Sequence, residues 1–168
     1  MPKHKFERFW RHFSTDHRSA RRAFPPHTLT RIGSAIASGE QTHSGQVRFV
    51  VEAALPLSVV LRGEKPRGHA LDVFSRLRIW DTEENIGVLV YVLLADKAVE
   101  IVADRGIHRR VGDASWESIC RTMEAAFRER RFEDGAVAGI NAINAMLAEH
   151  FPRSGSGPNE LSDQPEII

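Results

Sequence analysis

Asp104-Arg105-Gly106 sets a carboxylate, a guanidinium and a flexible glycine side by side. The acidic stretch Asp81-Thr82-Glu83-Glu84-Asn85 precedes it, and Asp113 follows. Carboxylates and amide oxygens are the donors that a hard divalent cation, calcium or magnesium, takes up. The candidate ligands are Asp81, Glu84, Asn85, Asp104 and Asp113. The competing reading makes Asp113 a plain helix cap and leaves Glu83 and Glu84 solvated; an EF-hand loop pattern is absent. Arg105 beside Gly106 has the chemistry to hold a phosphate, with Asp104 as base or ligand. The usual phosphate signatures are missing, however. There is no glycine-rich Walker loop, no Cys-x5-Arg and no Asp-x-Asp. The histidines (His4, His12, His17, His27, His43, His69 and His150) show no ligand spacing such as H-x3-H, so zinc is not expected. His108, between Ile107 and Arg109, reads as solvent-facing.

These residues need a scaffold that brings them together. Ile86–Ala95 is uncharged and rich in Val, Leu and Tyr. It is too short to span a bilayer and reads as a buried strand. Ala98–Ala103 is a second strand, and Asp96-Lys97 between them predicts a tight hairpin. In an antiparallel pair the start of the first strand neighbours the end of the second. The Asp81–Asn85 loop and Asp104 are therefore expected close together, with Asp113 a short loop away.

The remaining elements follow from periodicity. Residues 3–14 place Phe6, Phe9, Trp10 and Phe13 at helical spacing, and a short basic segment covers 16–23. Thr28 caps a helix running to about His43. Gln46–Ala54 is a core strand, and Leu55–Pro66 a mobile loop with a charged tip at Arg62–Lys65. Gly68–Leu77 is a helix, and Leu77–Trp80 a short extended piece. Asp113 opens a helix whose Trp116, Ile119, Cys120, Met123, Ala126 and Phe127 form one apolar face. A last helix starts at Phe132 and stops at Pro152, with Ala136, Ile140, Ile143, Leu147 and Phe151 on one side. Residues 153–168 are polar, with glycine and proline, and read as a disordered tail. Strands apolar on both faces, alternating with helices, predict an α/β fold. It is a three-layer αβα sandwich with a mixed sheet of about four strands and an N-terminal helical arm.

The stretch from Trp80 to Ile107, WDTEENIGVLVYVLLADKAVEIVADRGI, resembles the centre of the TPM domain family. The likeness continues through Gly112–Phe151 and back to about Leu29. The Arg21–Pro25 entry resembles that of short bacterial TPM proteins without a signal segment. One departure stands out: the family commonly carries Asn-Gly before the strand, where this chain has Ile86-Gly87 with Asn85 one place earlier. The resemblance implies the αβα sandwich over 27–152, flanked by a basic arm (1–26) and the polar tail. It implies divalent metal binding at the acidic loop, with no organic cofactor. It implies protein partners among other TPM proteins and membrane-anchored LemA-type proteins. The leading expectation is a ligand- or metal-binding module for envelope-associated partners. A metal-dependent phosphatase, with Asp104 and Arg105 as catalytic candidates, is the alternative.

Charge is unevenly spread. Residues 1–31 hold eight Lys and Arg against Glu7 and Asp16, a net +6, which leaves −5 for the remainder of a chain of net +1. The arm has three readings: docked on the body with Phe6, Trp10 and Phe13 buried, which is the expected one because soluble monomers avoid such an exposed apolar patch, laid on an anionic membrane through residues 3–23, or bound to nucleic acid. The acidic body and the lack of a recognised nucleic-acid fold disfavour the last. Charges interrupt the apolar residues at the N-terminus, so it does not read as a secretory signal, and the cytoplasm is the expected location. Cys120, the single cysteine, reads as a small buried hydrophobe.

Overall fold

In the computed structural model, which describes residues 3–155 and 158–168, four strands form one mixed sheet. β1 (Gln46–Glu52) and β2 (Gly87–Leu93) are parallel, with Gln46 opposite Gly87 and Glu52 opposite Leu93. β3 (Ala98–Ala103) runs antiparallel to β2, with Val88 opposite Ala103. Every residue of β2 is buried, as a central strand between two helical layers requires.

Alternate strand residues point to opposite faces, and both faces are covered. Over one lie α2 (His17–Ala23), α3 (Pro26–Gly39), α7 (Asp113–Arg128) and α8 (Phe132–His150). They enclose Phe24, Phe49, Val90, Ile101, Met123 and Phe127. Over the other lie α4 (Leu57–Leu61) and α5 (Pro66–Arg76), which close on Val50, Leu89, Tyr91 and Leu93. The result is the expected three-layer αβα sandwich.

The fourth strand comes from an unexpected place. Leu77–Trp80 is a turn, and β4 (Glu166–Ile167) lies in the supposed disordered tail. It pairs parallel to β1, with Val50 opposite Glu166 and Val51 opposite Ile167. Long-range polar contacts order residues 158–168 despite their composition. Arg48 donates to the carbonyls of Ser162 and Gln164 and pairs with Glu166 at 2.8 Å. The side-chain oxygen of Gln46 accepts the N–H groups of Glu160 and Leu161.

Other differences are local. The β2–β3 connection is four residues long, a 3-10 turn over Leu94–Asp96 followed by Lys97 at φ 49°. Ala95 N–H donates to the Ala53 carbonyl, so the turn leans back onto the sheet. The 55–66 segment contains α4, and residues after Asp104 form α6 (Arg105–Val111), whose single buried side chain is Ile107. Helix α3 ends at Gly39, and Thr28 lies inside it, donating its hydroxyl to Glu133 at 2.6 Å. Gly112, at φ 77°, is the N-cap of α7, so Asp113 is its first residue and caps nothing.

The arm helix α1 (Lys3–Ser14) packs on α4 and on the 94–96 turn. Asp96 accepts from Arg8 Nε at 2.9 Å and from Arg11 at 3.2 Å, and His12 Nε2 lies 3.2 Å from it. His12 Nδ1 accepts the Leu55 N–H at 3.0 Å. Burial pushes the Asp96 carboxyl up, but His12 and Arg8 outweigh it and bring it down to about 2. The arm thus docks by its charged side, and the expected burial of Phe6, Trp10 and Phe13 is reversed: they are 53, 49 and 62% exposed.

Candidate cation site at the hairpin end

Asp104 leaves β3 beside the start of β2, and its N–H donates to the Gly87 carbonyl at 2.9 Å. It caps α6, with Oδ1 accepting the Arg105 N–H at 2.6 Å. Oδ2 is buried and has no hydrogen-bond partner among the described residues. A buried carboxylate oxygen without a donor is costly unless a cation or a proton meets it. Gly106 explains how the acidic loop reaches this point: a Cβ there would sit 2.9 Å from the Asn85 carbonyl oxygen and 3.8 Å from that of Glu84. A glycine lets the loop's carbonyls close on the first turn of α6. Asn85 turns the loop at φ 55°, a conformation asparagine tolerates. The Thr82 hydroxyl accepts the Ile86 N–H at 3.0 Å and shuts the turn.

The acidic loop and the Asp104–Gly106 turn therefore lie side by side, with the Asn85 carbonyl against Gly106 and Asp104 bonded to Gly87. The side chains of Asp81 and Glu84 are exposed. Asp113 is 76% exposed and faces His108 at 3.6 Å. Beside the loop opens a cavity of about 230 Å³ lined by Gln46, Glu83, Glu84, Ile86, Arg153 and Glu160. The Glu160 carboxylate accepts the Glu83 N–H at 3.0 Å, so the ordered tail forms one of its walls.

Behind this end lies a buried polar cluster. Glu40, 4% exposed, accepts the Val47 N–H through Oε1 at 2.9 Å. His43, fully buried, is 3.1 Å from both the Gly45 carbonyl and Asn144 Oδ1. Burial pushes Glu40 up to about 7, against the Val47 bond and with help from Asp163. Burial pulls His43 down, against its bonds to Asn144 and Gly45. A carboxyl raised in the folded state adds stability that is complete below its unfolded value of 4.5 and lost as pH rises to about 7. His43 has the opposite sign, since a histidine buried in its neutral form loses stability as pH falls below its ordinary value of 6.5. The difference between wild type and Glu40→Gln isolates the carboxyl. It is expected to fall by roughly 3 kcal/mol from pH 4.5 to 7, and a flat difference in urea melts refutes it.

Residues 20–146 match the TPM domain family. The chain belongs to that family. No curated protein matches it. The NMR structure of BA42 protein from the psychrophilic bacteria Bizionia argentinensis is similar, at TM-score 0.74 and 28% identity. The likeness covers 84% of this chain and 93% of that one. The family match omits α1 and β4, both of which pack on the TPM domain.

Spacing alone did not reveal a second donor group in this TPM domain. Glu64, His69 and Asp72 each bring a ligand atom within 4.8 Å of the others, the only such group of three among the described residues. His69 and Asp72 share a face of α5 at i, i+3, which was a usable signal; Glu64 arrives from the loop after Gly63, at φ 76°, which was not. Nε2 of His69 lies 2.9 Å from Glu52 Oε2, which also accepts the Tyr91 hydroxyl at 2.7 Å. Burial and Glu52 raise the Tyr91 pKa, so the hydroxyl stays a donor. The Cys120 thiol is pushed up to about 12 by burial, which makes it a poor nucleophile.

Proposed function

We propose that this TPM domain is a cytoplasmic binding module that takes calcium or magnesium at its hairpin end and serves envelope-associated protein partners. The buried, unpartnered Oδ2 of Asp104 carries the reading. A hard cation is the species that such an oxygen and neighbouring backbone carbonyls suit. Asp104 and the Asn85 carbonyl beside Gly106 would be the inner donors; the exposed Asn85 amide, Asp81 and Glu84 would have to swing in from the loop, and Asp113 faces His108 instead. A cation binding only the folded state stabilises it by about 2.7 kcal/mol at a hundredfold excess over Kd. Thermal melts with millimolar calcium or magnesium are expected to rise above melts in chelator, and Asp104→Asn is expected to remove the rise. Superimposable wild-type melts overturn the site.

The second donor group favours a second cation. One imidazole and two carboxylates suit zinc or manganese, and Glu52 would orient the His69 ring as outer carboxylates do for metal-bound histidines. His69→Ala then removes a zinc-induced shift and leaves the calcium shift intact.

Phosphomonoester hydrolysis is the rival reading, supported by the family's designation as a phosphatase. Here Asp104 would hold the metal or act as base, and the exposed Arg105 would meet the phosphate. Hydrolysis of p-nitrophenyl phosphate that needs magnesium and is lost in Asp104→Asn supports it. Equal rates with and without metal leave the binding module.

A further inference from the structure

An amphipathic helix at the edge of a domain ordinarily turns its apolar side inward. Helix α1 does the reverse. Its inner side carries His12, fully buried, and Arg8, 19% exposed, both against Asp96. Its outer side carries Phe6, Trp10 and Phe13 at i, i+4 and i+7. Their rings stack edge to face in a row, 6.0 Å from Phe6 to Trp10 and 5.4 Å from Trp10 to Phe13. Three aromatic side chains about half exposed in one stripe are unusual for a free surface. The polar clamp on Asp96 fixes which side faces out, so the stripe cannot roll inward without breaking buried contacts.

The surroundings indicate what covers the stripe. Lys5, Arg18, Arg21 and Arg22 are exposed on or just after α1, Arg11 being tied to Asp96, with Glu7 and Asp16 the only acids in that region. The adjoining α4 ends in Leu61, itself 53% exposed, and exposed Arg62 and Lys65 follow. Apolar aromatic rings within a basic field match the interface of an anionic bilayer, where rings sit at headgroup level and cations meet lipid phosphates. The charged inner side keeps the helix from sinking deeper. No helix among the described residues is long and apolar enough to cross a membrane. We propose that α1 is a preformed, in-plane membrane-docking helix that sets this TPM domain on an anionic lipid surface. The proposal is independent of any cation at the hairpin end.

The test is co-sedimentation of the full chain with phosphatidylcholine vesicles, with and without phosphatidylglycerol. Binding is expected only to the anionic vesicles and is expected to weaken as salt screens it. The variant with Phe6→Ser, Trp10→Ser and Phe13→Ser together alters exposed side chains alone, so its melting temperature is expected to match wild type. Its vesicle affinity is expected to fall by about tenfold or more. Absence of wild-type binding at low salt overturns the proposal, as does unchanged binding by the variant. A lipid-free dimer that the variant dissolves also overturns it, by assigning the stripe to a second copy of this chain.

Discussion

Leu93→Ala is expected to lower the unfolding free energy by about 2–5 kcal/mol. Leu93 ends β2, is fully buried, and belongs to the cluster with Val50, Leu55, Val60, Ala70 and Tyr91. The sheet holds it on one side and α4 and α5 on the other, so the walls of the resulting cavity cannot collapse far. Urea denaturation at pH 7 measures the effect. A loss under about 1 kcal/mol would mean that the α4–α5 layer is not packed on the sheet as described.

Gly87→Ala is expected to cost at least as much, roughly 3 kcal/mol or more. A Cβ at Gly87 would stand 1.9 Å from the Ile79 carbonyl oxygen and 2.9 Å from its carbon. These are backbone atoms, so no rotamer change relieves the clash. Either the turn before the acidic loop shifts or β2 loses register with Gln46. Both routes also disturb Asp104, whose N–H is bonded to the Gly87 carbonyl. A near-wild-type melt for this variant would contradict that close approach. The need for glycine here also accounts for the Ile86-Gly87 pair: Ile86 is 7% exposed in the core, and Asn85 takes over the left-handed turn.

Much of this fold is written locally. The run from Ile86 and the 3.6-residue stripe on α7 each signal burial without reference to the rest of the chain. Hairpin geometry predicts that the Asp81–Asn85 loop lies beside Asp104, and the Asn85 carbonyl does stand against Gly106, although the Asp81 and Glu84 side chains stay exposed. What escaped was whatever depends on distant partners. β4 is decided by Arg48 and Gln46, more than a hundred residues away, and its own composition argues against order. α6 has one buried side chain and therefore no stripe to read. The Glu64–His69–Asp72 group joins a loop to a helix face, and spacing along a single helix captures only part of it. The aromatic stripe of α1 predicts burial, but the ion pairs to Asp96 determine which side docks.

β4 also bears on how the protein is made. Among the described strands, β1 has β2 on one side and only Glu166 and Ile167 on the other. Synthesis delivers β1, β2 and β3 long before residues 158–168. Without residues 158–168, the family-matched span, 20–146, would leave that edge of its sheet open. An open edge is a template for the β1 of a neighbouring nascent chain. The short closing strand covers part of that edge, so the packed unit extends past the boundary that family likeness would draw.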